Sequence, residues 1–219
     1  MNSLYLTLSS LFTLIVVLAN LLSVKMVVLP FFNNYAIPFG VFLYPLTFLI
    51  SDFITEIYGE KAARKIVYLS LLMNGVAICL IQLAIWTPSN NEGAFSSIFG
   101  LSNLRILTSL TSYLIALLID IKLYAWIKKK TNGNSLWLRA NGSTLFSQMI
   151  DTVLVDLIFL FAILGMELST TFAIIAFSFA YKAIISVLLT PVYYLAVKYT
   201  KSLVLADPDP RLQSLQHSG

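Results

Sequence analysis

Two carboxylates, Asp52 and Glu56, stand four positions apart inside an apolar block. In a helix that spacing puts both on one face, with Thr55 beside them. Like charges so placed repel, so one carboxyl keeps a proton or both meet a cation. The functional reading is a ligand pocket or a proton-coupling pair. The plainer alternative is an interfacial position, paired with Arg64 or Lys65. A second polar set, Thr144, Ser147, Gln148, Asp151, Thr152 and Asp156, falls within half of a helix circumference. Asp151 and Asp156 lie about 140° apart, so they cannot serve one point together. Such a half-helix suits a cavity wall, or hydrogen bonding between packed helices. A third set is Lys182 with Ser178, Ser186 and Tyr193. Thr13, Asn20 and Ser23 share another face, and Asp120 stands near Tyr113, Tyr124 and Lys122, where an interfacial role is the alternative.

These groups matter because of the elements that carry them. The chain is 58% hydrophobic and 11% charged over 219 residues, with a mean hydropathy of +0.86. A soluble domain is nearer a quarter charged. The apolar residues come in blocks of about twenty, the length that crosses a hydrocarbon core. Six spans are expected, roughly 4–24, 37–57, 66–86, 104–127, 144–165 and 171–197. They are apolar all round, which indicates helices rather than alternating barrel strands. The first run lacks a basic leader and reads as a retained span, not a signal peptide. The expected fold is an all-α polytopic membrane protein, a six-helix transmembrane bundle over residues 1–200. A tail from residue 201, with Asp207 to Pro210, is expected to be disordered.

Ten of the fourteen Lys and Arg gather on one side: Lys61, Arg64, Lys65, Lys128, Lys129, Lys130, Arg139, Lys198, Lys201 and Arg211. Positive residues mark the cytoplasmic side, which places both termini there. Short basic loops between apolar blocks carry topology and not a phosphate footprint, so nucleic acid is not an expected partner. Trp86, Trp126, Tyr194 and Tyr199 fall where interfacial belts belong. The stretch 87–103 reads as the longest external loop. Asn141-Gly142-Ser143 matches a glycosylation acceptor but falls on the inner side, where a helix cap is the better reading. Cys79 reads as a small buried hydrophobe, and with His217 in the tail no His/Cys metal site can form. Pro45 and Pro191 permit kinks beside a cavity.

An ionisable residue inside the bilayer is costly, and by default it marks function. Helix rise puts Lys182 roughly 16 Å below the outer end of its span and Asp156 roughly 18 Å above the inner end of its own. An Asp156–Lys182 ion pair is therefore expected, which would make both residues architectural, and a ligand role is the alternative.

Three motifs resemble a known family. PLTFLISDFITEIYG from Pro45 to Gly59, followed by Ala63, Arg64 and Lys65, is one. RANGSTLFSQMIDT from Arg139 to Thr152 is another. Tyr181-Lys182 with Thr190, Pro191 and Tyr193 is the third, and Asn20 and Asp120 also fit. Together they resemble the queuosine precursor transporters, also called the vitamin uptake transporter family, over about residues 10–200. The resemblance implies a bacterial inner-membrane, multi-pass importer of 7-deazaguanine precursors for tRNA modification. It implies no enzyme activity and no cofactor. A carboxylate can accept two hydrogen bonds from the base's guanidine-like edge, and Gln148 can donate to its carbonyl. Aromatic faces could stack on the ring. Asp52, Glu56, Gln148, Asp151 and Asn20 are then the candidate substrate groups. Arg139, Lys182, Asp156 and Asp120 are candidate charge partners. A homo-oligomer is compatible with this reading.

Two other classes compete. The family is similar to substrate-binding subunits of energy-coupling-factor vitamin importers, which need ATPase partners. Only Ala19 and Ser23 remotely offer the small-residue docking face that reading favours. An intramembrane aspartyl protease needs a Gly-x-Gly-Asp run, and the chain has none.

Overall fold

A computed structural model describes residues 3–28, 36–88, 93, 95, 99, 103–163 and 165–206. Helix α1 runs Ser3–Leu22, α2 Tyr44–Tyr58, α3 Glu60–Trp86, α4 Asn103–Lys130, α5 Leu136–Asp156 and α6 Leu168–Ala206. A wide π turn, Leu157–Ile163, prolongs α5. Five segments among the described residues are long and apolar enough to cross a membrane. The sixth helix, α5, is the polar one, because its inward face carries the second polar set. The architecture is that of an all-α polytopic membrane protein.

One small feature was not expected. Strands β1 (Met26–Val28) and β2 (Ala36–Pro38) pair antiparallel between α1 and α2, with Val27 opposite Ile37. Most of the 87–103 stretch and residues 207–219, including the Asp-Pro run and His217, lie outside the described residues. Helix α6 itself runs past residue 201 to Ala206.

Helix α2 is the buried centre. It packs against α1, α3, α4 and α6, and more lightly against α5. One apolar cluster joins Phe12 and Val16 of α1, Phe48 of α2, Val67 of α3 and Leu117 of α4. A second joins Phe53, Tyr124, Ala140, Tyr193 and Val197 from α2, α4, α5 and α6. Large apolar side chains such as Leu72, Leu83, Leu188 and Leu195 are exposed outside the bundle. An apolar exterior with a polar interior is what lipid, not water, selects. Trp86, Trp126, Tyr194 and Tyr199 are all exposed, as belt residues must be. Cys79 is exposed on α3, so it is not the buried hydrophobe expected.

Two glycines set how α2 meets its neighbours. Gly59 holds φ at 82°, a left-handed value open chiefly to glycine, which lets α2 end and α3 begin at Glu60. Gly40 lies in a 3-10 turn, Phe39–Phe42, pressed against α1. A β-carbon there would meet the Ala19 carbonyl oxygen at 2.2 Å. Pro45 sits in the first turn of α2, where a missing N–H is harmless, so it starts the helix and does not kink it. Pro191 does lie inside α6.

Candidate functional site

The polar residues converge on the bundle interior in three layers along α2. At 1.5 Å per residue, Tyr44, Asp52 and Glu56 are spread over roughly 18 Å of that helix.

The Glu56 layer closes one end. Arg139 of α5 reaches Glu56 with two hydrogen bonds, Nη2 to Oε1 at 3.0 Å and Nε to Oε2 at 3.1 Å. This fork is the geometry that guanidinium and carboxylate favour. Tyr124 of α4 donates to Oε2 at 3.0 Å and also meets the Tyr193 hydroxyl of α6. Lys128 of α4 lies 3.6 Å from Oε2 and donates to the Glu56 carbonyl, and Lys201 of α6 pairs with Oε1. One carboxylate thus holds four helices. The cations come from α4, α5 and α6, and not from Arg64 or Lys65 as in the plainer alternative; Arg64 pairs with Glu60 on its own helix. The basic ends of α4 and α6 and the start of α5 therefore share one end of the bundle.

The middle layer holds Asp52, Asp120, Thr144, Ser147 and Gln148. Asp52 Oδ2 accepts from Thr144 Oγ1 at 2.8 Å. Asp120 Oδ1 lies 2.8 Å from Ser147 Oγ. Asp120 is completely buried, so the expected interfacial alternative does not hold. Gln148 is also completely buried, yet neither of its amide atoms has a hydrogen-bond partner among the described residues. It stands one turn beyond Thr144 and about a turn before Asp151, on one face of α5. Beside Asp52 a small cleft opens between α2, α5 and α6, bordered by Pro45, Asn141, Thr144, Thr190 and Tyr193. It has room for about one water molecule.

The third layer corrects the expected ion pair. Lys182 Nζ lies 2.8 Å from Asp151 Oδ2 and donates to Thr152 Oγ1 at 3.0 Å. It takes Asp151, and not Asp156, as its partner. The reason is the start of α5: Leu136 is eight residues earlier than the expected Thr144, which shifts every depth on that helix by roughly 12 Å. Lys182 also lies 5.6 Å from the Tyr44 ring centre. Tyr44 reaches Asn20 and Ser109 through its hydroxyl, and Asn20 donates to Asn74 Oδ1 at 2.8 Å. Asn20 therefore sits in a chain of contacts linking α1, α2, α3 and α6. Asp156 is only half-buried, at the far end of α5.

Asn141 and Ser143 lie inside α5, so they form no cap. Asn141 Oδ1 accepts from Thr190 at 3.0 Å, next to Pro191. Sequence reasoning passed over Asn74 and Tyr44. Asn74 carried a usable signal, a lone amide within an apolar span. Lys128 and Lys201 were read only as topology markers, and their reach to Glu56 depends on the fold.

Known proteins extend these observations. The family described as “Putative vitamin uptake transporter” matches residues 38–196. The “Probable queuosine precursor transporter” of Bacillus subtilis (strain 168) is 30% identical over 118 residues, 52% of this chain and 52% of that protein. The “Queuosine precursor transporter” of Escherichia coli (strain K12) is 29% identical over 119 residues, 52% of this chain and 51% of that protein. The match spans about half the length of these curated relatives. No solved structure matches the chain.

Proposed function

This chain belongs to the vitamin uptake transporter family, and on that premise we propose that it imports 7-deazaguanine precursors of queuosine. It is a multi-pass protein of the bacterial inner membrane, with both termini in the cytoplasm and no enzymatic step. The names of the two relatives support the substrate class. The basic residues gathered at the Glu56 end support the orientation.

One observation carries the reading: the Gln148 amide is buried without a hydrogen-bond partner among the described residues, one turn along α5 from Thr144, which bonds Asp52. Buried polar groups are normally satisfied, so an orphaned amide points to a ligand. A 7-deazaguanine offers a carbonyl beside a row of N–H donors. The amide NH2 of Gln148 can give to the carbonyl, while Asp52 Oδ1 accepts from the N–H edge. Tyr193 borders the cleft and offers a ring face for stacking. Glu56 and Asp151 are engaged by Arg139 and Lys182. Their role in this reading is to hold the walls at either end of the site.

A cleft for one water does not admit a bicyclic base, so α5 and α6 must part from α2 during transport. The Glu56 fork is then the contact that breaks at the cytoplasmic end. The test is uptake by cells that cannot make queuosine. They are given the nitrile, the aminomethyl compound or the full base, and tRNA modification is measured. Expression of this chain alone should restore modification with at least one of them. Failure with all three contradicts the substrate assignment, and a requirement for ATPase partners contradicts autonomous transport.

A further inference from the structure

We propose that Asp52 and Asp120 form a proton-binding pair that shares one proton in the closed bundle, and that deprotonation of this pair slows transport. The proposal deepens the transport reading and rests on it for the transport arm only.

The inference starts from charge. Among the described residues, four acids are almost wholly buried in the bundle: Asp52, Glu56, Asp120 and Asp151. Two have cations against them, Glu56 with Arg139, Lys128 and Lys201, and Asp151 with Lys182. Asp52 of α2 and Asp120 of α4 have hydroxyls as their partners among the described residues, Thr144 and Ser147, which stand about one turn apart on α5 and so bring the two carboxyl groups into one buried layer. Two ionised carboxylates that share a buried site without a cation repel, and one shared proton removes that repulsion.

Ser147 Oγ donates to Asp120 Oδ1 at 2.8 Å, with the Ser143 carbonyl at 2.6 Å as its other acceptor, so Asp120 has at most a shared neutral donor and no cation there. Asp52 Oδ1 and Asp120 Oδ2 have no hydrogen-bond partner among the described residues. The cleft beside Asp52 has room for about one water next to that member of the pair.

The other titratable neighbours do not supply a missing cation. Glu56 on α2, Tyr113 and Tyr124 on α4 and Tyr193 on α6 face the pair. From α5 come Thr144 and Ser147, with Arg139 turned to Glu56 and Asp151 to Lys182. Helices α1 and α3 bring neutral Asn20 and Asn74 to the interior. With the proton gone, two bare carboxylates would repel inside the protein, and α2 and α4 could not close around them.

Two measurements test this on the full-length protein in lipid. Infrared difference spectra of wild type minus Asp120→Asn report a protonated carboxyl directly, without any substrate. The pair predicts a carboxylic-acid carbonyl band at neutral pH that is absent in Asp120→Asn and also in Asp52→Asn. Counterflow of 7-cyano-7-deazaguanine, chosen because it has no titrating amine, is followed against pH in vesicles. Wild-type rate should fall at least tenfold at alkaline pH. Asp120→Asn, whose amide N–H takes the place of the shared proton, should vary less than threefold over the same range. If Asp120→Asn does not insert, Asp52→Asn serves for the infrared arm. No band dependent on Asp120 or Asp52 overturns the pair. A band with equal pH profiles in wild type and variant overturns the coupling. A band without wild-type counterflow upholds the pair and removes the substrate reading.

Discussion

Arg139 grips Glu56 through two near-parallel hydrogen bonds of 3.0 and 3.1 Å, with both side chains almost completely buried. Around that fork Tyr124, Lys128 and Lys201 complete a junction of α2, α4, α5 and α6. Buried pairs of this kind are weak evidence for stability, yet removing one partner leaves a stranded charge. A junction that must open and reclose is well served by such a balance.

Arg139→Lys tests the fork. Lysine keeps the charge and cannot present two parallel donors. It should lower the melting temperature of the purified protein and cut uptake severely. Glu56→Gln strands the buried Arg139 guanidinium, while Lys128 and Lys201 keep access to solvent, and we expect a loss of about 3–5 kcal/mol from the Arg139 pair. Wild-type melting and uptake in both variants would show that the junction is not needed.

The second pair predicts non-additivity. Asp151→Ala leaves Lys182 alone, and Lys182→Ala leaves Asp151 alone. The double variant D151A/K182A should be milder in stability than either single change, because no bare charge is left. Additive losses, read by thermal unfolding, would contradict the pairing. Asp151→Asn should also abolish rescue of tRNA modification while the protein still inserts.

Gly40 tests the packing of the turn before α2. Gly40→Ala drives a methyl group into the Ala19 carbonyl, a backbone contact that cannot step aside. It should cost about 1–3 kcal/mol, the usual range for overpacking. Gly75 is the control: it lies within α3, and nothing stands within 4 Å of an added β-carbon. Gly75→Ala should stabilise by roughly 0.5–1 kcal/mol through helix propensity. Equal effects at the two positions would contradict the close approach of α1 and the turn.

Much of the fold was legible because lipid imposes a simple rule. Apolar blocks of about twenty residues became helices, and the intramembrane acids turned inward. What failed was depth. The segment from Leu136 to Arg139 looked like a loop, since Arg139 is charged and the local pattern is mixed. In the fold Arg139 is buried against Glu56, so the helix starts there. That one boundary moved the partner of Lys182 from Asp156 to Asp151. Pairings between distant helices, such as Glu56 with Arg139 or Asn20 with Asn74, leave no trace in local spacing. They depend on which helices are neighbours, and periodicity does not encode that.

Gln148 gives the most direct test of the transport site. Its amide bonds nothing within the described protein although it is wholly buried. Gln148→Leu should therefore hold or raise the stability, by up to about 1–3 kcal/mol, since an unsatisfied polar group is removed. The same variant should bind 7-cyano-7-deazaguanine roughly tenfold or more weakly. Binding to the purified protein, measured beside its melting temperature, reads both at once. A variant at least as stable as wild type with weakened binding is the predicted result. Undiminished binding, or a collapse of stability, would contradict the assignment of this interior amide to the substrate.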